Sequence, residues 1–427
     1  MEKIFQSKKT NKLSVIFFAA VSVVLAGCQS TQTNITSVGP SIGGTSAGKS
    51  LGQTERSYNY TSNIFLDVAI PVFDSGIPKD KYGNVDDKAV VEEDIWPQVR
   101  RLEANRFAMY TKEALTKSKA FGSINVTPDA NASADVYILG KINYSDTETI
   151  RIGVRVMDAT NTVWGEEDFE FQVSEGFYRD ALRKDDNPYE PIFKNIARYV
   201  YNLLNQKSEK DKSNIELVSD VRYAAMYSPE VFTPYLVNKT SSWDKTSHTI
   251  ELNGAPSESD PMYQRITAIK AKDSAFVDTL QDSYETFQVT SHDAYRDYHR
   301  ETLPVATQIR KAKGERTKSQ ILTGIFTVLS VAASSQDTIL GDVAAVGGGL
   351  IAASSLNEAV KANRVIGSQR KVLDEMGQNL DIKVTQQVVE FNNQSIELKG
   401  TASEQHAQLR SRLLEIHNIE NQQMSQL

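Results

Sequence analysis

Between Tyr58 and Asn205 short runs of alternating apolar and polar residues are interrupted by two stretches whose apolar residues step by threes and fours. Alternation marks strands and the longer period marks helices. NIFLDVAIPVFD carries a strand from Ile64 to Val72, ended by Pro71, Asp74 and Gly76. A helix follows from about Gln98 to Ser118, with Pro97 at its start and Val99, Leu102, Phe107, Tyr110, Ala114 and Leu115 near one face. FGSINVTP is a short strand closed by Pro128. DVYILGKINYS, TIRIGVRVMD and TVWGEEDFEFQV form a meander with turns at Asp146-Thr147 and Ala159-Thr160-Asn161. Its Ile142, Ile150, Ile152, Val154, Val156, Trp164, Phe169 and Phe171 cover the sheet faces. A second helix, Pro191 to Leu204, presents Ile192, Ile196, Val200 and Leu203 to close the sheet.

Beyond Asn205 to Asn214, which reads as a charged linker, the pattern becomes helical. Ile266, Ile269, Phe276, Leu280, Tyr284, Phe287, Ala294 and Tyr298 form the seam of a long packed helix, which Pro304 should kink or end. Two apolar arms follow, Ile321 to Ser335 and Thr338 to Leu356, parted by Gln336-Asp337. In the second arm Gly341, Ala345, Gly349 and Ala353 recur every four residues, a spacing that lets helix backbones approach closely in membranes and in tight bundles alike. Two readings stay open: a bundle or oligomer core, or a hairpin that inserts into a membrane. At 1.5 Å per residue the first arm would be about 22 Å long, short of a bilayer core, and Asp342 is costly in lipid. The tail holds a β-hairpin, VVEFNNQSIELKG, turning at Asn392-Asn393, and a last helix with a Thr401/Glu404 capping box and Leu409, Leu413 and Ile416 inside. The fold class is therefore α+β: a small α/β domain with an antiparallel meander, a long-helix bundle with a Gly/Ala-rich apolar hairpin, and a small mixed C-terminal tail. The expected boundaries are 58–205 for the α/β domain, 206–214 linker, 215–320 helical module, 321–356 apolar hairpin and 357–427 tail.

The first 57 residues have a different character. Lys3, Lys8, Lys9 and Lys12 precede a short apolar core, Leu13 to Val24, and then Leu25-Ala26-Gly27-Cys28. This order resembles the bacterial lipoprotein signal, which implies cleavage after Gly27 and acylation of Cys28. Cys28 is the only cysteine of the 427 residues, so it has no internal disulfide to make. The resemblance implies a stable acyl anchor, and Gln29 after the cysteine, rather than Asp, implies the outer membrane. Residues 28–57, rich in Ser, Thr, Gly and Gln, read as a flexible tether. The phosphate-loop pattern within it, Gly43 to Ser50, follows no apolar strand and precedes no helical stripe, so it is linker. Removing residues 1–27 takes away four lysines and one glutamate and moves the formal charge from −7 to −10, which argues against nucleic acid as a partner.

No chemistry-bearing constellation stands out. The histidines are His248, His292, His299, His406 and His417, with no pair at four-residue spacing, and read as solvated or packed helix residues. Glu92-Glu93-Asp94 and Glu166-Glu167-Asp168 lack the glycine turn and ligand spacing of a calcium loop and read as solvated edges. No serine sits in a nucleophile elbow. The sequence presents no catalytic set and calls for no metal and no cofactor.

One resemblance bears on the α/β domain. Ala120-Phe121-Gly122, Ala134-Asp135, Gly140-Lys141-Ile142, Val154-Arg155-Val156, Asp158-Ala159 and Val163-Trp164 resemble the small α/β domain shared by the TolB amino-terminal domain, the curli secretion-channel lipoproteins and the peptidoglycan-synthase activator lipoproteins. The transmembrane hairpins of the curli channel have no match here. Together these readings lead us to expect a non-enzymatic outer-membrane lipoprotein, a binding and assembly component of a cell-envelope complex of the secretion or surface-structure ring kind. Its expected partners are the outer membrane, through the acyl anchor, envelope proteins and further copies of itself. The alternative is a membrane-active, pore-forming protein that inserts the 321–356 hairpin.

Overall fold

The computed structural model describes residues 58–93, 95–180, 182–183, 186–240, 248–315, 373, 375–391 and 394–424. The fold is mixed α and β, as the alternating and helical patterns require. Five strands, β1 (Val68–Pro71), β2 (Ile124–Thr127), β3 (Val136–Ser145), β4 (Thr149–Asp158) and β5 (Val163–Gln172), form one sheet in the order β2-β1-β3-β4-β5. β1 runs parallel to β2 and β3, and β3, β4 and β5 form the antiparallel meander. On β4 the alternation is complete: Ile150, Ile152, Val154 and Val156 point inward while Arg151 and Arg155 are exposed. A one-residue slip would exchange those two sets, so the register is fixed by burial.

Gly140, Asp135 and Asp158 have structural jobs in this domain. A Cβ on Gly140 would lie 2.4 Å from the ring of Phe73, so only glycine lets β3 pass over that ring. Asp135 Oδ2 accepts from the backbone N–H of Asp67 at 2.9 Å, and buried Asp158 accepts from Trp164 Nε1 at 2.7 Å and Thr160 N at 2.8 Å, closing the β4–β5 turn.

Helices α1 (Asp87–Glu92), α2 (Pro97–Thr116), α3 (Glu190–Asn205), α4 (Glu209–Tyr227) and α5 (Pro229–Phe232) surround the sheet, and Phe107 of α2 meets Tyr189 and Phe193 at ring separations of 5.9 and 5.4 Å. The charged run Asn205–Asn214 is a correction. It holds the end of α3 and the first turns of α4, because Ser208 and Asp211 form a reciprocal capping box and the stem of Lys212 is buried against Tyr60.

The long helix α6 (Pro261–Glu315) has 55 residues and is about 80 Å long at 1.5 Å per residue. Ile266, Ile269, Phe276, Leu280, Tyr284 and Ala294 are buried along it, with Phe287 and Tyr298 partly so. Pro304 neither ends nor interrupts it. The proline is exposed, while Leu303 and Thr307 on either side are buried and hold the chain helical. The seam faces the sheet domain: α6 packs on α2, α4, β2 and the C-terminal helix α7 (Ala402–Met424), and one hydrophobic core runs from the sheet through α6 to Leu409, Leu413 and Ile416 of α7.

Two hairpins complete the described chain. β6 (Leu236–Thr240) with β7 (His248–Leu252) leaves no trace in the sequence pattern, because only Ile250 of its strands is buried. β8 (Gln387–Phe391) with β9 (Gln394–Leu398) is the tail hairpin; its Asn392-Asn393 turn lies outside the described residues. Glu404 N donates to Thr401 Oγ1 at 3.4 Å and Thr401 N to Glu404 Oε2 at 2.9 Å, the capping box expected for α7.

Candidate functional site: the seam between the long helix and the sheet domain

α2 is buried on nearly every side, including Arg100, Glu103, Asn105 and Arg106. Its apolar face meets the sheet, Glu103 and Arg106 reach α6, and Asn105 Nδ2 donates to the carbonyl of Leu380 at 2.8 Å. Polar side chains so placed must be satisfied from across the seam. Arg106 Nη1 donates to the carbonyl of Gln288 at 2.8 Å and to Ser291 Oγ at 2.6 Å, and its guanidinium lies 4.8 Å from the Tyr295 ring centroid. Glu103 Oε1 accepts from Ser145 Oγ and from Tyr295 Oη, both at 2.9 Å, and Arg100 Nε is 3.9 Å from Oε2. One helix, one strand and the long helix therefore converge on one carboxyl group.

His299 stands 4.0 Å from Glu103, within a cage of Tyr189, Tyr295 and Tyr298 rings, and neither of its ring nitrogens has a hydrogen-bond partner among the described residues. Burial, reinforced by the charge of Arg106, pushes its pKa down to about 3. Burial pushes the Glu103 carboxyl up, against the opposing charge of Arg100 and the hydrogen bonds from Ser145 and Tyr295. The contact is thus no ion pair at neutral pH: His299 is neutral there.

Two further clasps fix the helix along its length. Gln281 reaches the edge strand β2, where its Nε2 donates to the carbonyl of Val126 and its Oε1 accepts from the Val126 N–H, both at 2.9 Å. A side-chain amide there does what a neighbouring strand would do. Near the C-terminal end of α6, buried Glu148 accepts from Thr307 Oγ1 at 3.1 Å and Arg310 Nε at 2.9 Å.

The opposite edge of the sheet is open. No backbone N–H or C=O of Val163–Gln172 has a partner beyond β4 among the described residues. Its exposed Glu166 and Glu170 pair with Arg155 and Arg151 of β4, and Asp168 accepts from Asn143 Nδ2 at 3.1 Å, so this acidic run is a solvated edge. Among the described residues no group of three or more His, Cys, Asp and Glu side chains is placed to hold a metal ion, and no helix is long and apolar enough to cross a membrane.

The residues singled out from the sequence as sites, Leu25, Ala26, Gly27 and Cys28 at the signal and Gly341, Ala345, Gly349 and Ala353 in the hairpin, lie outside the described residues. The histidines divide: His248 is exposed, His292 half-buried, and His299, His406 and His417 buried. Sequence reasoning missed Arg100, Glu103 and Arg106, although their three-residue spacing places them on one helical face. Gln281 and Glu148 carried no such signal. No family model, curated protein or solved structure matches this chain.

Proposed function

We propose that the protein is a non-enzymatic outer-membrane lipoprotein, anchored through acylated Cys28, that serves as a binding and assembly component of a cell-envelope complex. The anchor half of this reading rests on the signal-like order of residues 1–28. One structural observation carries the assembly half: the two edges of the sheet are treated differently. The N–H and C=O of Val126 on β2 are taken up by Gln281, whereas the outward backbone groups of the ten-residue strand β5, on alternate residues, have no partner among the described residues. A free edge is where an extended segment of another chain adds a strand. Four acidic residues on β5 oppose pairing with the same strand of a second copy, since like charges across strands repel. The partner strand accordingly belongs to another envelope protein.

Photo-crosslinking in intact cells, with a reactive residue at Glu167 or Glu170 and controls on exposed Val289 of α6, tests the assembly half. A defined envelope partner captured from β5 and absent from the control supports it; no partner, or the same products from both, overturns it. Palmitate labelling of wild type and Cys28→Ala tests the anchor separately, and equal labelling of the two overturns it.

A further inference from the structure

The phase of the β4–β5 ladder decides which groups of β5 face outward. The N–H of Val173 donates to the carbonyl of Glu148 at 2.7 Å, and Phe171, Phe169 and Glu167 follow at alternate positions opposite Ile150, Ile152 and Val154. Those residues bond inward, so Glu166, Asp168, Glu170 and Gln172 turn their N–H and C=O away from β4. A register shift opposite Val156 and Met157 marks a bulge at Trp164, which limits the regular edge on that side.

The two faces of this edge differ in chemistry. Glu166, Asp168 and Glu170 are exposed and lie opposite Arg155, Gly153 and Arg151 of β4, so charge runs in rows, cations on β4 and anions on β5. Glu166 pairs with Arg155 and Glu170 with Arg151, but each partner is about half exposed, and a carboxylate has acceptor sites left for a second cation. Gly153 offers Asp168 no side chain; its carboxylate accepts from Asn143 Nδ2 at 3.1 Å and has no ion pair among the described residues. On the other face Phe169 packs on Tyr199 of α3 at a ring separation of 5.6 Å and is only half-buried.

We propose that the segment added to β5 is basic: an extended stretch of a partner polypeptide with lysine or arginine at alternate positions facing Glu166, Asp168 and Glu170, and apolar residues between them on the side of Phe169. This rests on the reading of β5 as the pairing edge and adds the chemistry of the partner. Opposite charges directly across a strand pair attract and like charges repel, so a cationic row continues the alternation that β4 and β5 begin. Main-chain bonds then supply the attachment and alternate side chains the selection.

The test uses the full-length protein and three labelled peptides in which valine alternates with lysine, with serine or with glutamate, followed by fluorescence anisotropy and amide hydrogen exchange. The lysine peptide should bind about tenfold or more tightly than the serine peptide, the glutamate peptide most weakly, and added salt should narrow the difference. On saturation the amides of Glu166, Asp168 and Glu170 should gain protection, whereas those of Glu167 and Phe169, already bonded to β4, should change little. Asp168→Lys should weaken the lysine peptide about tenfold and favour the glutamate peptide, at an unchanged melting temperature. Equal binding of the serine and lysine peptides, with the same amides protected, overturns the basic partner and leaves the pairing edge standing. Binding of the lysine peptide without that protection, or no binding of any peptide, also overturns the basic partner, and the edge itself is then decided by the crosslinks from Glu167 and Glu170.

Discussion

Glu103 is buried with a raised pKa, and His299, 4.0 Å away, is buried with one lowered to about 3. A lowered histidine contributes stability that is complete above its unfolded value of 6.5 and is lost as pH falls from there towards 3. A raised glutamate contributes stability that is complete below 4.5 and is lost as pH rises through its folded value. Above 4.5 the two slopes oppose each other: the folded protein retains on Glu103 a proton that the unfolded chain gives up, while the unfolded chain holds on His299 a proton that the folded protein lacks. Glu103→Gln keeps an acceptor for Ser145 and Tyr295 but removes one slope. Relative to wild type it should become less stable as the pH falls below 6.5, by no more than about 1.4 kcal/mol for each unit of acidification, read from urea midpoints. Parallel pH profiles for the two proteins would show that the pair does not exchange a proton in this way. Gly140→Ala, which forces a methyl group against Phe73, should destabilise by about 1–3 kcal/mol at any pH, measured in the same titration.

At the scale of elements, Gln281 stands in for a strand and Ser208 decides where a helix begins. Gln281→Leu leaves the N–H and C=O of Val126 buried without partners, at about 1–3 kcal/mol for each unsatisfied group. Faster amide exchange at Val126, with β4 unaffected, would locate the loss. Ser208→Ala should cost about 1 kcal/mol by removing the cap of α4, seen as a lower urea midpoint; an unchanged midpoint would return residues 205–214 to a linker. Most elements were legible because burial on one face writes a period into the sequence. The meander, the two sheet-covering helices, the seam of α6 and the capped last helix all follow from it. The β6–β7 hairpin was not, because strands with a single buried residue leave no alternation. α4 was masked by its charged first turns, and the passage of α6 through Pro304 depends on tertiary contacts at Leu303 and Thr307 that local propensity does not encode. The polar face of α2 looked solvated because Glu103 and Arg106 find partners on an element nearly two hundred residues away, and Arg100 on the carbonyl of Ser145.

For the molecule as a whole, a core that runs unbroken from the sheet through α6 to α7 predicts joint unfolding. Fluorescence of Trp96, whose ring meets Tyr298 at 5.4 Å across the seam, and far-ultraviolet helical signal should trace one coincident urea transition. A helical transition ahead of the tryptophan signal would mean that α6 detaches first. The glutamine laid against β2 has a consequence for stoichiometry. A sheet accessible at both borders could be threaded into a chain of indefinite length, each molecule handing growth to the next. With Val126 of one border capped by Gln281 and β5 unpaired at the other among the described residues, a strand added to this sheet would join at β5, and pairing through the sheet would then stop at one partner instead of passing from molecule to molecule.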